Sequence, residues 1–354
     1  MKQFKKILAL VIAVVMMMTF ASCSMTEETD TDITNDNIKI GLVLKETADT
    51  VTGNTGYAMA AVNDVINLGY GIGSERFDYV AEGVNPDDAA AVEEAIIGLL
   101  NKECNLVIAT EDAYIEVVKK LAAQEDYADV NFLVYGAEDD GKNVYGYNVD
   151  DSVAAYLTGI VAGMKATELE VAKVGFAAAD KNDVAYLNAF AMGVKAANEA
   201  AEVKVVFGTD AAAASDKLIK DGCVVLASDF EDEAIAKAAA DAKAFYIGFG
   251  SETYNNATGE DGAKLYADAC LCTPVYNYTR LYMAAIKAIV DDKAPEAALA
   301  GDYLSGEVYL SDLNETAVAD GTQEAIKTAT DSIANGELKV EVDTAAMFEN
   351  VVAL

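Results

Sequence analysis

The chain has 354 residues, 53% hydrophobic and 24% charged, which is enough apolar material for a large core and, at roughly 150 residues per domain, for two domains. Its 25 basic and 59 acidic residues leave a net charge of -34, which repels phosphate backbones and anionic lipid headgroups, so no nucleic-acid partner is expected and membrane contact needs an anchor. There is no His, so Ser-His-Asp, Cys-His and HExxH chemistries are excluded and the commonest metal ligand is missing.

Lys2, Lys5 and Lys6 precede an apolar run from Ile7 to Ala21, shorter than the roughly 20 residues that span a bilayer. A basic start, a short apolar stretch and small residues before a cut site read as a secretory signal over 1–22. Phe20-Ala21-Ser22-Cys23 resembles a bacterial lipobox, with Phe20 where Leu is usual, which implies lipidation at Cys23. Cleavage would remove three Lys and no acid, taking the charge from -34 to -37. Residues 23–37 are acidic, Thr-rich and nearly without apolar side chains, and are expected to form a flexible tether.

The body opens on a β run, Ile38 to Leu44, then a helical pattern from Tyr57 to Leu68 capped by Gly69. Strands are expected at 106–109, 130–135 and 144–147, with a helix at 113–123. The alternation restarts with an apolar helix, Val153 to Ala166. Strands follow at 171–177, 203–207, 224–227, 245–249 and 265–271, with helices at 184–200, 211–219 and 231–242. A helix from Tyr276 to Val290, a strand at 308–310, a helix at 323–335 and a last β run from Leu338 to Val342 complete the pattern. Strand–helix alternation of this kind predicts parallel sheets covered on both faces, and the restart predicts two doubly wound α/β lobes around a cleft. Ligands of such sheets bind beyond the carboxyl ends of the strands.

Gly69-Tyr-Gly-Ile-Gly73 lacks the spacing and the preceding strand of a dinucleotide loop, and reads as a helix-ending turn. Glu138-Asp139-Asp140 lacks EF-hand spacing. Cys270 and Cys272 share a strand face, a poor geometry for mutual bridging, and Cys104 and Cys223 precede strands as small buried thiols often do. No disulfide framework, structural zinc or cofactor is expected. The 18 Tyr suit stacking on a planar ligand where they reach strand-end loops.

The body resembles the basic membrane protein family of transporter-linked lipoproteins, which includes a purine nucleoside receptor. The resemblance rests on blocks in order over 38–342. They are the opening Ile38-Lys-Ile-Gly-Leu-Val-Leu strand, Asn105-Leu-Val-Ile-Ala-Thr110, and Ala155-Tyr-Leu-Thr-Gly-Ile-Val-Ala-Gly-Met164, the most specific. Val174-Gly-Phe with Asn188-Ala-Phe-Ala-Met-Gly-Val194, Leu218 to Leu226, Phe245 to Glu252, and Asn335-Gly-Glu-Leu-Lys-Val340 follow. It implies a type I periplasmic-binding fold with a hinged cleft and delivery of ligand to an ABC permease. Lobe 1 would comprise 38–148 plus 274–305, and lobe 2 149–273 plus 306–342.

Characterised members stack a nucleoside base between aromatic rings and hold the ribose with carboxylates. By that resemblance Phe190 is the stacking ring of the second lobe, and Asn54 matches a loop in which the family's Phe falls on Gly53, leaving Tyr57 to substitute. The carboxylate after the 245–249 strand falls on Gly250, leaving Ser251 and Glu252 nearby. Glu111, Asp112 and Asp229 follow strand ends and join the candidates. Phe190 also has apolar neighbours at helical spacing, the pattern of a core residue. The expected function is a lipid-anchored, monomeric solute-binding protein without covalent chemistry, a nucleoside its leading ligand. A sugar or other metabolite, or a sensor acting through a protein partner, stays open.

Overall fold

The computed structural model describes residues 34, 38–69, 79–260, 262–295, 299–344 and 346–354. The signal peptide, Cys23 and the tether, apart from Thr34, lie outside them, as does Tyr70 to Gly73.

In chain order the first elements are β1 (Ile40–Val43), α1 (Gly53–Asn67), β2 (Val80–Ala81), α2 (Ala89–Leu100), β3 (Leu106–Ala109), α3 (Ile115–Ala122), β4 (Asn131–Tyr135) and β5 (Val144–Asp150). Then come α4 (Ser152–Glu168), β6 (Lys173–Ala178), α5 (Ala185–Ala197), β7 (Glu202–Phe207), α6 (Ala211–Lys220), β8 (Val225–Ser228), α7 (Glu233–Ala242) and β9 (Phe245–Ile247). The last are β10 (Cys270–Cys272), β11 (Pro274–Tyr276), α8 (Thr279–Val290), β12 (Leu299–Asp302), β13 (Val308–Leu310), α9 (Thr322–Ala334) and β14 (Val351–Ala353).

Two parallel sheets result, ordered β12-β5-β4-β3-β1-β2 and β10-β9-β8-β6-β7-β14. The central strands are unbroken apolar runs. Leu106–Ala109 is wholly buried, and β1 lies beside it with Leu42 opposite Ile108 and Val43 opposite Ala109. Strands covered on both faces read this way. In lobe 1 one core joins Leu42, Leu106 and Ile108 to α1 and α8, and another joins Val43, Val107 and Phe132 to α2 and α3. Lobe 2 repeats the scheme, with α4 and α5 on one face and α6 and α7 on the other. The chain passes between lobes after β5, between β10 and α8, and between β12 and β13. The last two passages pair as the antiparallel strands β11 and β13.

The family's most specific block turns out to be helix packing. A Cβ on Gly159 would lie 2.1 Å from the Phe190 carbonyl oxygen, and one on Gly193 would lie 1.9 Å from that of Tyr156. Only glycine lets the α4 and α5 backbones approach so closely.

The expected strand at 338–342 does not form. Leu338, Val340 and Val342 are half-buried against helices, so the period-two pattern is genuine but has no ladder beside it. The sheet edge is taken by β14, anchored by Asn350, whose amide donates to Ala191 and Ala201 carbonyls at 3.1 and 3.3 Å. Buried Asn188 holds the approach, donating to the Ala346 carbonyl at 2.8 Å and accepting from Phe348 N–H at 2.8 Å. Helix α2 was not foreseen. Asp88 caps it by accepting from Ala90 and Ala91 N–H at 3.1 and 3.2 Å. The strand expected at 265–271 is confined to Cys270–Cys272. All four cysteines of the body are buried free thiols.

Candidate ligand cleft

Loops leaving the carboxyl ends of strands in both sheets converge on a cavity of about 330 Å³. Lobe 1 supplies Lys45 and Glu46 beyond β1, the first turn of α1, Glu111 beyond β3, Tyr135 at the end of β4 and Asp151 beyond β5. Lobe 2 supplies Asp229, Phe230 and Glu231 beyond β8 and Phe249 beyond β9, and the β11 passage adds Tyr276 and Tyr278. This is where open parallel sheets take ligands, and the volume falls in the range of small-molecule pockets.

Glu231 reaches across the cleft. One carboxylate oxygen accepts from Gly53 N–H at 2.5 Å, at the N-terminus of α1, and from the Tyr57 hydroxyl at 2.9 Å. A carboxylate suits that helix end because it meets both an orphan N–H and the positive end of the dipole. Its other oxygen, Oε1, is buried without a hydrogen-bond partner. Burial raises the Glu231 carboxyl above its usual range, while Ser251 and the bonds to Gly53 and Tyr57 pull it back. The Ser251 hydroxyl itself donates to Thr253 at 2.8 Å. This arrangement requires glycine at 250. Gly250 has φ +77°, and a Cβ there would lie 1.7 Å from the Tyr57 hydroxyl oxygen and 2.6 Å from the Glu231 carboxyl carbon.

The other carboxylates are also desolvated. Burial pushes Asp229 up to about 7, against the Ala179 N–H that donates to it at 2.8 Å. Burial pushes Glu111 up to about 7, with Lys45 opposing. Burial pushes Asp151 up to about 6, moderated by the Tyr276 hydroxyl that donates to it at 2.5 Å. Rings line the same space. Tyr57 stacks on Tyr276 at 5.2 Å and 15°, Tyr278 meets Tyr57 edge-on at 5.6 Å, and Phe249 tilts against Tyr276 at 5.7 Å.

Of the eight residues expected at the site, Asn54, Tyr57, Glu111 and Asp229 line the cavity. Asn54 accepts from the Tyr278 hydroxyl at 3.0 Å. Ser251 is half-buried beside Glu231 without lining the cavity, and Asp112 and Glu252 are exposed outside it. Phe190 must be corrected. It is 0% exposed and packs on Phe176 at 5.3 Å inside lobe 2, because α5 turns that face onto the sheet. Its place as a lobe-2 ring at the cleft is taken by Phe230 and Phe249. Glu231 and Asp151 went unforeseen, the first because a helix was expected to begin on it. Their position within three residues of a strand end was the available signal. Tyr276 was likewise assigned to a helix that begins at Thr279.

Residues 66–341 match the family described as ABC transporter substrate-binding protein, PnrA-like. The chain belongs to that family. Its members act outside the cytoplasm, bind a small-molecule ligand and interact with a permease, and the first turn of α1, with Asn54 and Tyr57, lies ahead of the matched segment. A putative ABC transporter glucose-binding protein of Haloferax volcanii, TsgA13, is 25% identical over 278 residues, covering 75% of this chain and 66% of that protein. A solute-binding protein from Conexibacter woesei superposes with a TM-score of 0.68 at 19% identity, covering 87% of this chain and 99% of that one. One from Aeropyrum pernix K1 gives 0.68 at 16%, covering 86% and 94%. These likenesses show the type I periplasmic-binding fold that the substrate-binding family uses. Among the described residues no helix is long and apolar enough to cross a membrane.

Proposed function

We propose that this substrate-binding protein captures a small polar solute in the cleft, closes on it, and presents the closed form to an ABC importer while tethered through a lipid on Cys23. The reading is carried by the about 330 Å³ cavity in which carboxylates and rings from both lobes meet. A ligand touching both lobes favours the closed arrangement because only that arrangement offers all its contacts. Rings suit a flat ligand face and carboxylates suit hydroxyl donors, so a nucleoside is the first class to test. A sugar is the second reading, supported by the glucose-binding name of the Haloferax relative.

A thermal-shift screen over nucleosides, sugars and amino acids tests this, since a ligand that binds only the native state raises its stability by mass action. A saturable shift with any small polar solute, lost on Glu231→Ala, is expected. No shift across the whole screen would count against a solute-binding role and favour action through a protein partner.

A further inference from the structure

Among the described residues the most deeply buried acid is Glu307, at 1% exposure, and it lies outside the cleft, in the passage from β12 to β13. Its place is made for it. A Cβ on Gly301 of β12 would lie 2.3 Å from the Glu307 Cγ, so glycine opens the slot, and Gly301 is itself opposite Val149, one residue before β5 ends. One carboxylate oxygen accepts from Arg280 Nε in the first turn of α8, and the other from the Ser305 hydroxyl. The Glu307 carbonyl accepts from Asn277 N–H at 2.8 Å. Side chain and backbone together tie the β12–β13 passage to the β11–α8 passage at the end nearer lobe 1.

The other end is fastened too. Ser311 N–H donates to the Thr273 carbonyl at 2.8 Å, and Thr273 N–H donates to the Ser311 hydroxyl at 2.9 Å. Between the two fastenings β11 and β13 pair over three residues, with Tyr276 opposite Val308. Two of the three passages between the lobes are thus joined in one ribbon, and Tyr276 stands on it at the cleft. Its ring stacks on Tyr57 of lobe 1, its N–H donates to the Gly250 carbonyl of lobe 2 at 3.0 Å, and its hydroxyl donates to Asp151 in the passage after β5. A buried ion pair often adds no more stability than apolar side chains of the same volume would, so stability alone does not account for a carboxylate sealed at 0% side-chain exposure at this junction. What the pair supplies is a fixed geometry between two passages.

We propose that Arg280 and Glu307 are positioning residues for solute capture, bracing β11 and β13 into a ribbon whose pose sets Tyr276 at the cleft. This rests on the cleft being the solute site. It assigns a role in ligand binding to a charge pair that touches no ligand.

Hydrogen exchange read by mass spectrometry on the mature chain compares wild type with Arg280→Gln and with Arg280→Gln/Glu307→Gln. The double variant leaves no carboxylate buried without its counter-charge, so it keeps the test readable if the single one folds poorly. Exchange in peptides covering 274–278 and 307–311 should speed up about tenfold or more, while the strands at 106–109 and 225–228 stay within about twofold of wild type. The near-ultraviolet circular dichroism of the tyrosines, unobscured because the chain has no Trp, should weaken with it. Arg280→Lys, which keeps a positive charge within reach of Glu307, should restore both. Equal acceleration in ribbon and strands would mark the pair as structural only, and an unmoved ribbon would show that it braces nothing; either result overturns the proposal. Adenosine and glucose, titrated calorimetrically into each protein, read the consequence. Whichever binds wild type should bind the double variant about threefold or more weakly. Undiminished binding beside a loosened ribbon would overturn the positioning role and leave solute capture standing. If neither binds wild type, the exchange comparison still decides the brace, and the wider thermal-shift screen decides the solute-binding reading.

Discussion

Lobe 2's paired helices and the cleft floor are built on opposite principles. Where α4 meets α5, no buried side-chain N or O of either helix lacks a hydrogen-bond partner among the described residues. Backbone touches backbone at Gly159 and Gly193, and Phe190 is sealed behind them. The cleft floor has desolvated carboxylates, a buried oxygen without a partner and an open cavity. The first region is built from two short continuous blocks of sequence, 155–164 and 188–194, each easily recognised as a motif. The second is gathered from separate loops and resembles nothing in particular when read along the chain. Family signature and ligand chemistry therefore live in different places, and a close match in the first says little about the second.

The sharpest way to break this contrast is to damage the packed pair. Gly159→Val would drive side-chain atoms into the Phe190 carbonyl, and unfolding in urea should show a loss of at least about 3 kcal/mol. Phe190→Ala should cost about 3–5 kcal/mol by leaving a cavity in the lobe-2 core. Ligand affinity of the folded Phe190→Ala protein, measured calorimetrically below its melting temperature, should stay within about twofold of wild type. A large loss of affinity with little loss of stability would return Phe190 to the cleft.

A smaller effect is expected where the lobes touch. Gly250→Asp places a side chain on the Tyr57 hydroxyl and the Glu231 carboxyl at a positive φ. It should cost about 1–3 kcal/mol. The loss of the Glu231 contacts to Gly53 and Tyr57 should also increase the radius of gyration in solution scattering. An unchanged radius would mean that these contacts do not hold the lobes together.

The same contrast explains how far the sequence could be read. The doubly wound lobes were legible because their strands are apolar runs such as Leu106–Ala109 and their helices carry clear periodicity. Segments 338–342 misled because half-burial on helices gives the same alternation as half-burial in a sheet. Half the expected site residues line the cleft: Glu111 and Asp229, which follow strand ends, and Asn54 and Tyr57, at the start of α1. Glu231 and Tyr276 were hidden by helices expected to begin on them, and although Glu231 and Asp151 follow strand ends, whether they meet across the cleft depends on how close the two lobes come, a distance that no local pattern encodes. Phe190 misled because a ring on an apolar helix face has two possible destinations, and the glycine pair chose the core.

The subtlest test is titration of the cleft itself. Asp229 and Glu111 are raised to about 7 by burial, so the folded protein holds protons that the unfolded chain has released at the same pH. Stability from these groups is fully present below the unfolded carboxylate range and is lost as pH rises through about 7. The ligand-free protein should accordingly gain about 1–2 kcal/mol as pH is lowered from about 8 to about 5, after allowance for partial solvent screening. Glu307 does not mask this. Burial alone would raise it, but Arg280 and Ser305 hold it below the usual range, so its contribution is lost only at lower pH, outside the window. Asp229→Asn should flatten the slope, because the amide has no proton to gain or lose in this range. Melting curves at a series of pH values, for wild type and for Asp229→Asn, read the slope and its change. A slope that Asp229→Asn leaves untouched would place the titration elsewhere in the molecule.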